Sequence, residues 1–265
     1  MRLIRLLVVG ALLHPTASHA LDILTCTGAN IVPHGETATL VADVDCTPAP
    51  GEPVPGYGVH LEAGATLLLG GHTLRGAVWN VYCPRSCRIV GPGALAGATG
   101  MAIYSGGRGR SSVSDVLVHD NFGAIDLVEQ RVTLTNVTVM NSTLYGIRVG
   151  KLVASNLTVS GTGGDGILTD RGIKGSDVAV TGNHTGIGGR GFVRLTGLTA
   201  TGNISGLFAL RRVRLEDSVV SGNAGDDLLT RRRPVLLNTA CETSAMLLGT
   251  GPYTIGPPWG VCAGD

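Results

Sequence analysis

Residues 131–170 read RVTLTNVTVMNSTLYGIRVGKLVASNLTVSGTGGDGILTD and contain one pattern twice, an Asn followed by alternating apolar and polar residues, at Asn136 and at Asn156. The same pattern extends in both directions along the chain. Its equivalent residues recur every 20 or 21 positions, at Asp115, Asn136, Asn156, Asp177, Gly197 and Asp217. A fixed period of this size indicates stacked structural units.

Each unit contains three short segments in which apolar and polar residues alternate, which is the pattern of β-strands. In the unit of Asn136 these segments are 132–134, 137–139 and 147–149. The turn between the second and third segments of each unit begins with a residue that tolerates a left-handed backbone. These residues are Asp120, Asn141, Gly161, Gly182, Gly202 and Gly222. Three strands in about 21 residues leave no room for the helix of a leucine-rich horseshoe, and the unit is too short for a propeller blade. The sequence therefore predicts an all-β parallel β-helix, or solenoid.

The predicted solenoid occupies residues 58–237 in about eight or nine coils, of which the coils before residue 100 are less regular. Irregular terminal repeats are typical of such folds. We expect an N-terminal cap at residues 21–57 and a C-terminal cap at residues 238–265, because an uncovered end coil exposes a sheet edge.

The first twenty residues have the features of a cleavable signal peptide. Arg2 and Arg5 precede an apolar run at 6–13, and small residues lead to Ala20, after which we predict cleavage. The apolar run is far shorter than the about 20 residues that cross a bilayer. No later stretch is long and apolar enough to do so, and the sequence therefore predicts a secreted or periplasmic protein with no membrane span.

The mature part contains an even number of cysteines, six in all, which predicts three disulfides in an exported chain. Six cysteines allow 15 connectivities, and their clustering along the chain favours the local pairs. These are Cys26 with Cys46, Cys83 with Cys87, and Cys241 with Cys262, so that disulfides staple both caps. A zinc site is disfavoured because the chain has no CxxC pair, and we predict no metal site.

Two basic columns are predicted on the surface of the solenoid, where residues at equivalent positions lie above one another. Lys174, Arg194 and Arg214 occupy the outward centre of the first strand, and a second group follows the third strand at Lys151, Arg171, Arg190 and Arg211. Unit charges about 4.8 Å apart repel by roughly 0.9 kcal/mol in water. An acidic polysaccharide would relieve this repulsion, since its carboxylates suit guanidinium groups. The alternative is that the cations only keep an exposed sheet soluble.

Other partners and cofactors have weaker support. The formal net charge of +1 does not show the basic excess of a nucleic-acid-binding domain. Asp165 and His184 lie one coil apart and could act as a general acid–base pair or hold a divalent ion; alternatively they are a turn aspartate and a surface histidine. Calcium needs six to eight oxygen ligands, whereas the acidic residues are scattered, so the sequence requires no cofactor.

Several segments carry a family resemblance. The segment ATLLLGGHTLRG at 65–76, RIVGPGAL at 88–95, the coils after Asp115 and the ending WGVCAGD at 259–265 resemble secreted bacterial parallel β-helix repeat proteins of the pectate-lyase-like superfamily. The resemblance implies a right-handed helix. Members of the superfamily include polysaccharide lyases, polygalacturonases and uronate epimerases, among other activities. The resemblance thus implies a protein that binds, or in a lyase-like or epimerase-like manner processes, an acidic polysaccharide along its basic face. The alternative is a noncatalytic structural or adhesive protein of the cell surface.

Overall fold

A computed structural model describes residues 21–26, 30–249 and 254–265. The described residues form strands and turns and contain no helix, so none of them belongs to a helix that could span a membrane. The predicted signal peptide at residues 1–20 lies outside the described residues.

The strands are numbered in chain order. The first twelve are β1 (Leu21–Ile23), β2 (Ile31–Val32), β3 (Thr37–Leu40), β4 (Val44–Asp45), β5 (Tyr57–Leu61), β6 (Ala65–Leu68), β7 (Thr73–Arg75), β8 (Trp79–Tyr82), β9 (Cys87–Val90), β10 (Ala94–Ala96), β11 (Met101–Tyr104) and β12 (Arg110–His119). The remainder are β13 (Gly123–Met140), β14 (Ile147–Ser160), β15 (Asp165–Thr181), β16 (Thr185–Gly189), β17 (Phe192–Thr201), β18 (Ser205–Ala209), β19 (Val213–Glu216), β20 (Val219–Ser221), β21 (Leu228–Thr230), β22 (Val235–Leu237), β23 (Ala240–Cys241), β24 (Ser244–Leu248) and β25 (Thr254–Ile255).

The strands stack in three parallel columns, and the longest strands bend around the corners between columns. Sheet 1 contains β1, β3, β6 and β9, the middle segments of β13 to β15, the first segments of β12 and β17, and then β19 and β22. Sheet 2 runs from β4 to β23 through the last segments of β12 to β15 and β17. Sheet 3 runs from β2 to β24 through the first segments of β13 to β15. The predicted all-β parallel solenoid is confirmed, with about ten turns.

The residues that turn the chain are those picked out by the repeat. All six residues between sheets 1 and 2, from Asp115 to Asp217, have positive φ angles, such as 54° at Asn136. The six positions between sheets 2 and 3, from Asp120 to Gly222, have positive φ as well. Only Gly, or Asn and Asp with their short polar side chains, adopts this backbone routinely.

The core is one continuous apolar column inside the turns. Inward positions of consecutive coils, such as Val132, Leu152, Ile173, Val193 and Val213, are at most 1% exposed. Alternation within each strand therefore sets which side chains enter the core, as the sequence predicts.

Polar side chains also enter the interior, at the turn between sheets 2 and 3. The side-chain Nδ2 of Asn183 donates to Oδ1 of Asn203 at 3.0 Å, and Nδ2 of Asn203 donates to Oδ1 of Asn223 at 3.0 Å. Asn183 and Asn203 are buried. These residues form an internal asparagine ladder that links three successive turns.

The three disulfides join the pairs expected from the sequence, with Cys26–Cys46 and Cys241–Cys262 near the two ends of the described chain. Cys241–Cys262 closes a sequence separation of 21 residues and Cys83–Cys87 a separation of 4. Replacing both members of the longer pair with Ser should lower the free energy of unfolding by about 3 kcal/mol, against about 2 kcal/mol for the shorter pair, because the longer loop restricts the unfolded chain more. Urea unfolding of the two double variants tests this order, and a greater loss for the shorter pair contradicts it.

Candidate functional site

The basic column of sheet 1 is aligned in the structure. Lys174 pairs in register with Arg194, and Arg194 with Arg214, on three consecutive turns. All three side chains are exposed. Arg214 has a carboxylate neighbour in Glu216, with an N–O distance of 3.8 Å. Lys174 and Arg194 form no ion pair in the described part of the chain.

The second basic group does not form the straight column expected from the sequence. Lys151 is in register with Gly172 rather than with Arg171, and Gly172 is in register with Phe192 rather than with Arg190. The guanidinium of Arg171 donates to the backbone carbonyl of Glu129. The reason is a change of register at the corner between sheets 3 and 1, where the number of residues differs from turn to turn.

Arginines converge instead at that corner, on the later turns. A cavity of about 600 Å³ is lined by four arginines and two apolar residues: Arg211, Arg212, Arg231, Arg232, Phe192 and Leu210. None of these four arginines takes part in an ion pair among the described residues. We call this cavity the arginine pocket. Its sequence signal is the double Arg at 211–212 followed 20 residues later by the run at 231–233.

A smaller cavity adjoins the arginine pocket through Leu210. It has a volume of about 250 Å³, and its lining includes Asp165, Arg190 and Phe208. Asp165 is in register with Thr185, whereas His184 is exposed and its backbone N–H donates to Gly164. No hydrogen bond or ion pair joins Asp165 to His184 within the ranges that the structure describes, and no group of three or more potential metal ligands is found there.

A third feature lies on the outward face of sheet 3, near the N-terminal end. Five rings gather on β5, β8 and β11, namely Tyr57, His60, Trp79, Tyr82 and Tyr104. The ring centroids of Trp79 and Tyr104 are 4.6 Å apart, and those of Tyr82 and Tyr104 are 6.1 Å apart. Each ring is partly exposed. We call this group the aromatic cluster.

The repeat does not predict the aromatic cluster, although the sequence carries a signal for it. Tyr57 and Trp79 are 22 residues apart, as are Tyr82 and Tyr104. These early turns have a longer period than the later ones, so an alignment on a spacing of 20 or 21 does not superimpose them.

The next turns of sheet 3 place a polar group directly beside the aromatic cluster. Asp126 pairs in register with Tyr104 on one side and with Arg148 on the other. The phenol of Tyr145 donates to Oδ2 of Asp126 at 2.6 Å. Nε of Arg148 lies 3.7 Å from Oδ1 of Asp126, and the guanidinium carbon lies 5.5 Å from the centre of the Tyr145 ring.

The Asp126 carboxylate is buried, with 8% of its side chain exposed, and its Oδ1 accepts no hydrogen bond. Burial raises the pKa of the Tyr145 phenol well above its ordinary value, and the hydrogen bond to Asp126 raises it further. Tyr145 therefore stays protonated at neutral pH and remains a donor to Asp126. The arrangement holds the half-exposed Arg148 guanidinium at the surface between a carboxylate and an aromatic ring.

Comparison of the chain with protein-family models, with curated proteins and with solved structures finds no match in any of the three. Any function must therefore be argued from the chain itself.

Proposed function

We propose that the protein is an extracytoplasmic β-solenoid that binds an acidic polysaccharide at the arginine pocket and along the neighbouring basic column of sheet 1. The observation that carries the proposal is the convergence of four arginines around one cavity with no acidic residue in its lining. Three disulfides support a location outside the cytoplasm.

The electrostatics of the pocket favour an anion. Like charges a few ångströms apart repel by roughly 1 kcal/mol in water, the value that applies here because all four arginines of the pocket are exposed. A carboxylate between two guanidinium groups replaces this repulsion with charge-assisted hydrogen bonds, which can be bidentate. Arginine suits this task better than lysine because its planar fork matches the carboxylate.

The shape of the site favours a sugar polymer over a small anion. Phe192 and Leu210 give the arginine pocket an apolar surface, against which the C–H groups of a pyranose ring can pack. Phe192 begins the strand that carries Arg194, and Arg212 directly precedes the strand that carries Arg214. Cations therefore continue from the pocket onto sheet 1, as a polymer with regularly spaced carboxylates requires.

The resemblance of the sequence to pectate-lyase-like proteins agrees with this class of ligand and with a right-handed helix. Lyase or epimerase chemistry needs a proton acceptor beside the bound uronate. Asp165 borders the smaller cavity next to the arginine pocket and is the residue we would test for that role, whereas Arg190, in the same lining, would pair with the uronate carboxylate.

Retention on immobilised polygalacturonate, alginate and a neutral glucan tests the proposal. The double variant Arg212→Gln with Arg232→Gln should bind the acidic polymers about 100-fold more weakly, because each lost charge-assisted hydrogen bond costs about 1.5 kcal/mol. Added salt should weaken wild-type binding as well.

The matched control is Arg88→Gln with Arg131→Gln. Arg88 lies on sheet 1 several turns away, in the outward column that leads through Ser112 and Thr133 to Lys174. The double variant removes the same charge from earlier turns of sheet 1, at β9 and β13, and should change retention less than twofold. Equal losses in both double variants, or equal retention on neutral and acidic polymers, would overturn the proposal and favour a structural or adhesive role.

Ultraviolet absorbance of the same mixtures reports the unsaturated products of any lyase activity.

A further inference from the structure

The aromatic cluster gathers an unusual share of the aromatic residues of the chain on one outward face. The chain has ten Phe, Trp and Tyr residues, and four of them, Tyr57, Trp79, Tyr82 and Tyr104, lie on three consecutive turns of sheet 3. Each of these four remains partly exposed. Contacts between the rings contribute about 0.5–1.5 kcal/mol per pair, which accounts for their packing but not for their position outside the core.

We propose that this face is a second glycan-binding surface, on which the aromatic cluster packs against the apolar faces of pyranose rings and Arg148 bonds their oxygens. Tyrosine and tryptophan join an apolar ring to a polar edge, which suits ligands that are apolar on one face and hydroxylated at the rim. Sugars have this character whether or not they carry a carboxylate. The ligand class of this surface is therefore wider than that of the arginine pocket.

The direction of the surface indicates a linear chain as the occupant. The rings of β5, β8 and β11 lie on three consecutive turns, which are separated by about 4.8 Å along the axis of the solenoid. An extended glycan has a repeat of similar length, so that successive sugars can meet successive turns. The cluster contains no Asp, Glu, Lys or Arg, and the contact is therefore mainly apolar.

The polar end of the surface is preorganised. Asp126 and Tyr145 hold each other through a 2.6 Å hydrogen bond, and the Arg148 guanidinium lies against both. Its side chain is 43% exposed, so its free N–H groups can reach a ligand. Asp126 neutralises part of the positive charge, which makes Arg148 suited to hydroxyl oxygens as well as to carboxylates.

The same face leads toward the arginine pocket. From Arg148 the outward column continues in register through Leu168 and Gly188 to Phe208, which borders the smaller cavity. Tyr104 and Phe208 are five turns apart, about 24 Å by strand spacing. A single long chain can therefore touch both surfaces, but glycan binding at the aromatic cluster does not depend on the arginine pocket.

Fluorescence of Trp79 tests the inference directly. The chain has two tryptophans, Trp79 and Trp259, so a Trp259→Phe background isolates the signal of the cluster. Hexasaccharides of glucose, mannose, xylose and galacturonate are titrated at low and at high salt. We expect a saturable change in Trp79 emission with at least one neutral hexasaccharide, at an affinity that salt changes less than twofold.

Variants separate this surface from the arginine pocket. Tyr104→Ala should weaken the binding seen by Trp79 about tenfold, a loss typical of one removed ring contact, whereas Tyr104→Phe keeps the ring and should bind within about threefold of the parent. Thermal unfolding of each variant shows that the protein is folded. The Arg212→Gln, Arg232→Gln double variant should leave the binding of a neutral hexasaccharide unchanged. A failure of the proposed arginine pocket can therefore be told apart from a failure of the aromatic cluster.

The absence of any emission change with all four sugars would overturn the inference. So would equal binding by the Tyr104→Ala variant and the parent protein. Sedimentation of the ligand-free protein tests a third outcome that would overturn the inference. A dimer that dissociates in the Tyr104→Ala variant would identify a second copy of the chain as the occupant of this surface.

Discussion

Replacing Asn203 with Ala should lower the free energy of unfolding by about 4 kcal/mol, because several buried groups lose their partners at once. The side chain is 2% exposed. Its Oδ1 accepts hydrogen bonds from both the backbone N–H and the side-chain Nδ2 of Asn183, each at 3.0 Å. Its Nδ2 donates to the carbonyl of Val180 at 3.1 Å and to Oδ1 of Asn223 at 3.0 Å. A buried donor or acceptor left without a partner costs about 1–3 kcal/mol, and partial relaxation reduces the sum.

Ser142 provides the matched control, since it occupies the equivalent position in an earlier turn. Its side chain is 1% exposed, and its hydroxyl forms no hydrogen bond. Ser142→Ala should therefore be neutral or slightly stabilising. Urea unfolding of the two variants, followed by circular dichroism, measures both effects. Equal shifts of the two midpoints would show that burial, and not the asparagine ladder, sets the cost.

The turns and the core could be predicted because each depends on one residue type at one position. Positive φ is a local property that only Gly, Asn and Asp adopt readily, so Asn136 and Gly182 reveal their turns in the sequence. The asparagine ladder could not be predicted, because Asn141 and Asn183 follow the same strand one position apart. Asn141 takes the positive-φ position, with its amide bonded to the exposed Asp120, whereas Asn183 comes directly after the positive-φ residue Gly182 and is buried.

The candidate sites were only partly predictable, because they depend on how the turns are aligned at the corners. Within sheet 1 the register follows the sequence period, so the alignment of Lys174 with Arg194 agrees with the repeat. Between sheets 3 and 1 the corner changes length, which separates Lys151 from Arg171 and brings Arg212 and Arg232 to one pocket. A corner has no fixed period, and a sequence alignment of repeats carries no information on where its side chains meet.

Replacing Gly175 with Ala should cost about 4 kcal/mol or more, a large part of the stability of an ordinary domain. Gly175 lies in sheet 1 between Ala154 and Leu195 and has a φ of 155°. A Cβ atom at this position would lie 1.8 Å from the carbonyl oxygen of Ala154 and 2.7 Å from its carbonyl carbon. Both atoms belong to the backbone of the adjacent strand, so the clash can be relieved only by opening the sheet.

Gly222 separates the effect of this clash from that of the backbone angle alone. Its φ is 65°, and no atom lies within 4 Å of the place where a Cβ would be. Gly222→Ala should cost about 1 kcal/mol, the strain of a left-handed conformation without any overlap. Circular dichroism and urea unfolding compare the two variants. If Gly175→Ala is no more costly than Gly222→Ala, the strands of sheet 1 do not approach as closely as described, and the register that aligns the adjacent Lys174 with Arg194 is then wrong as well.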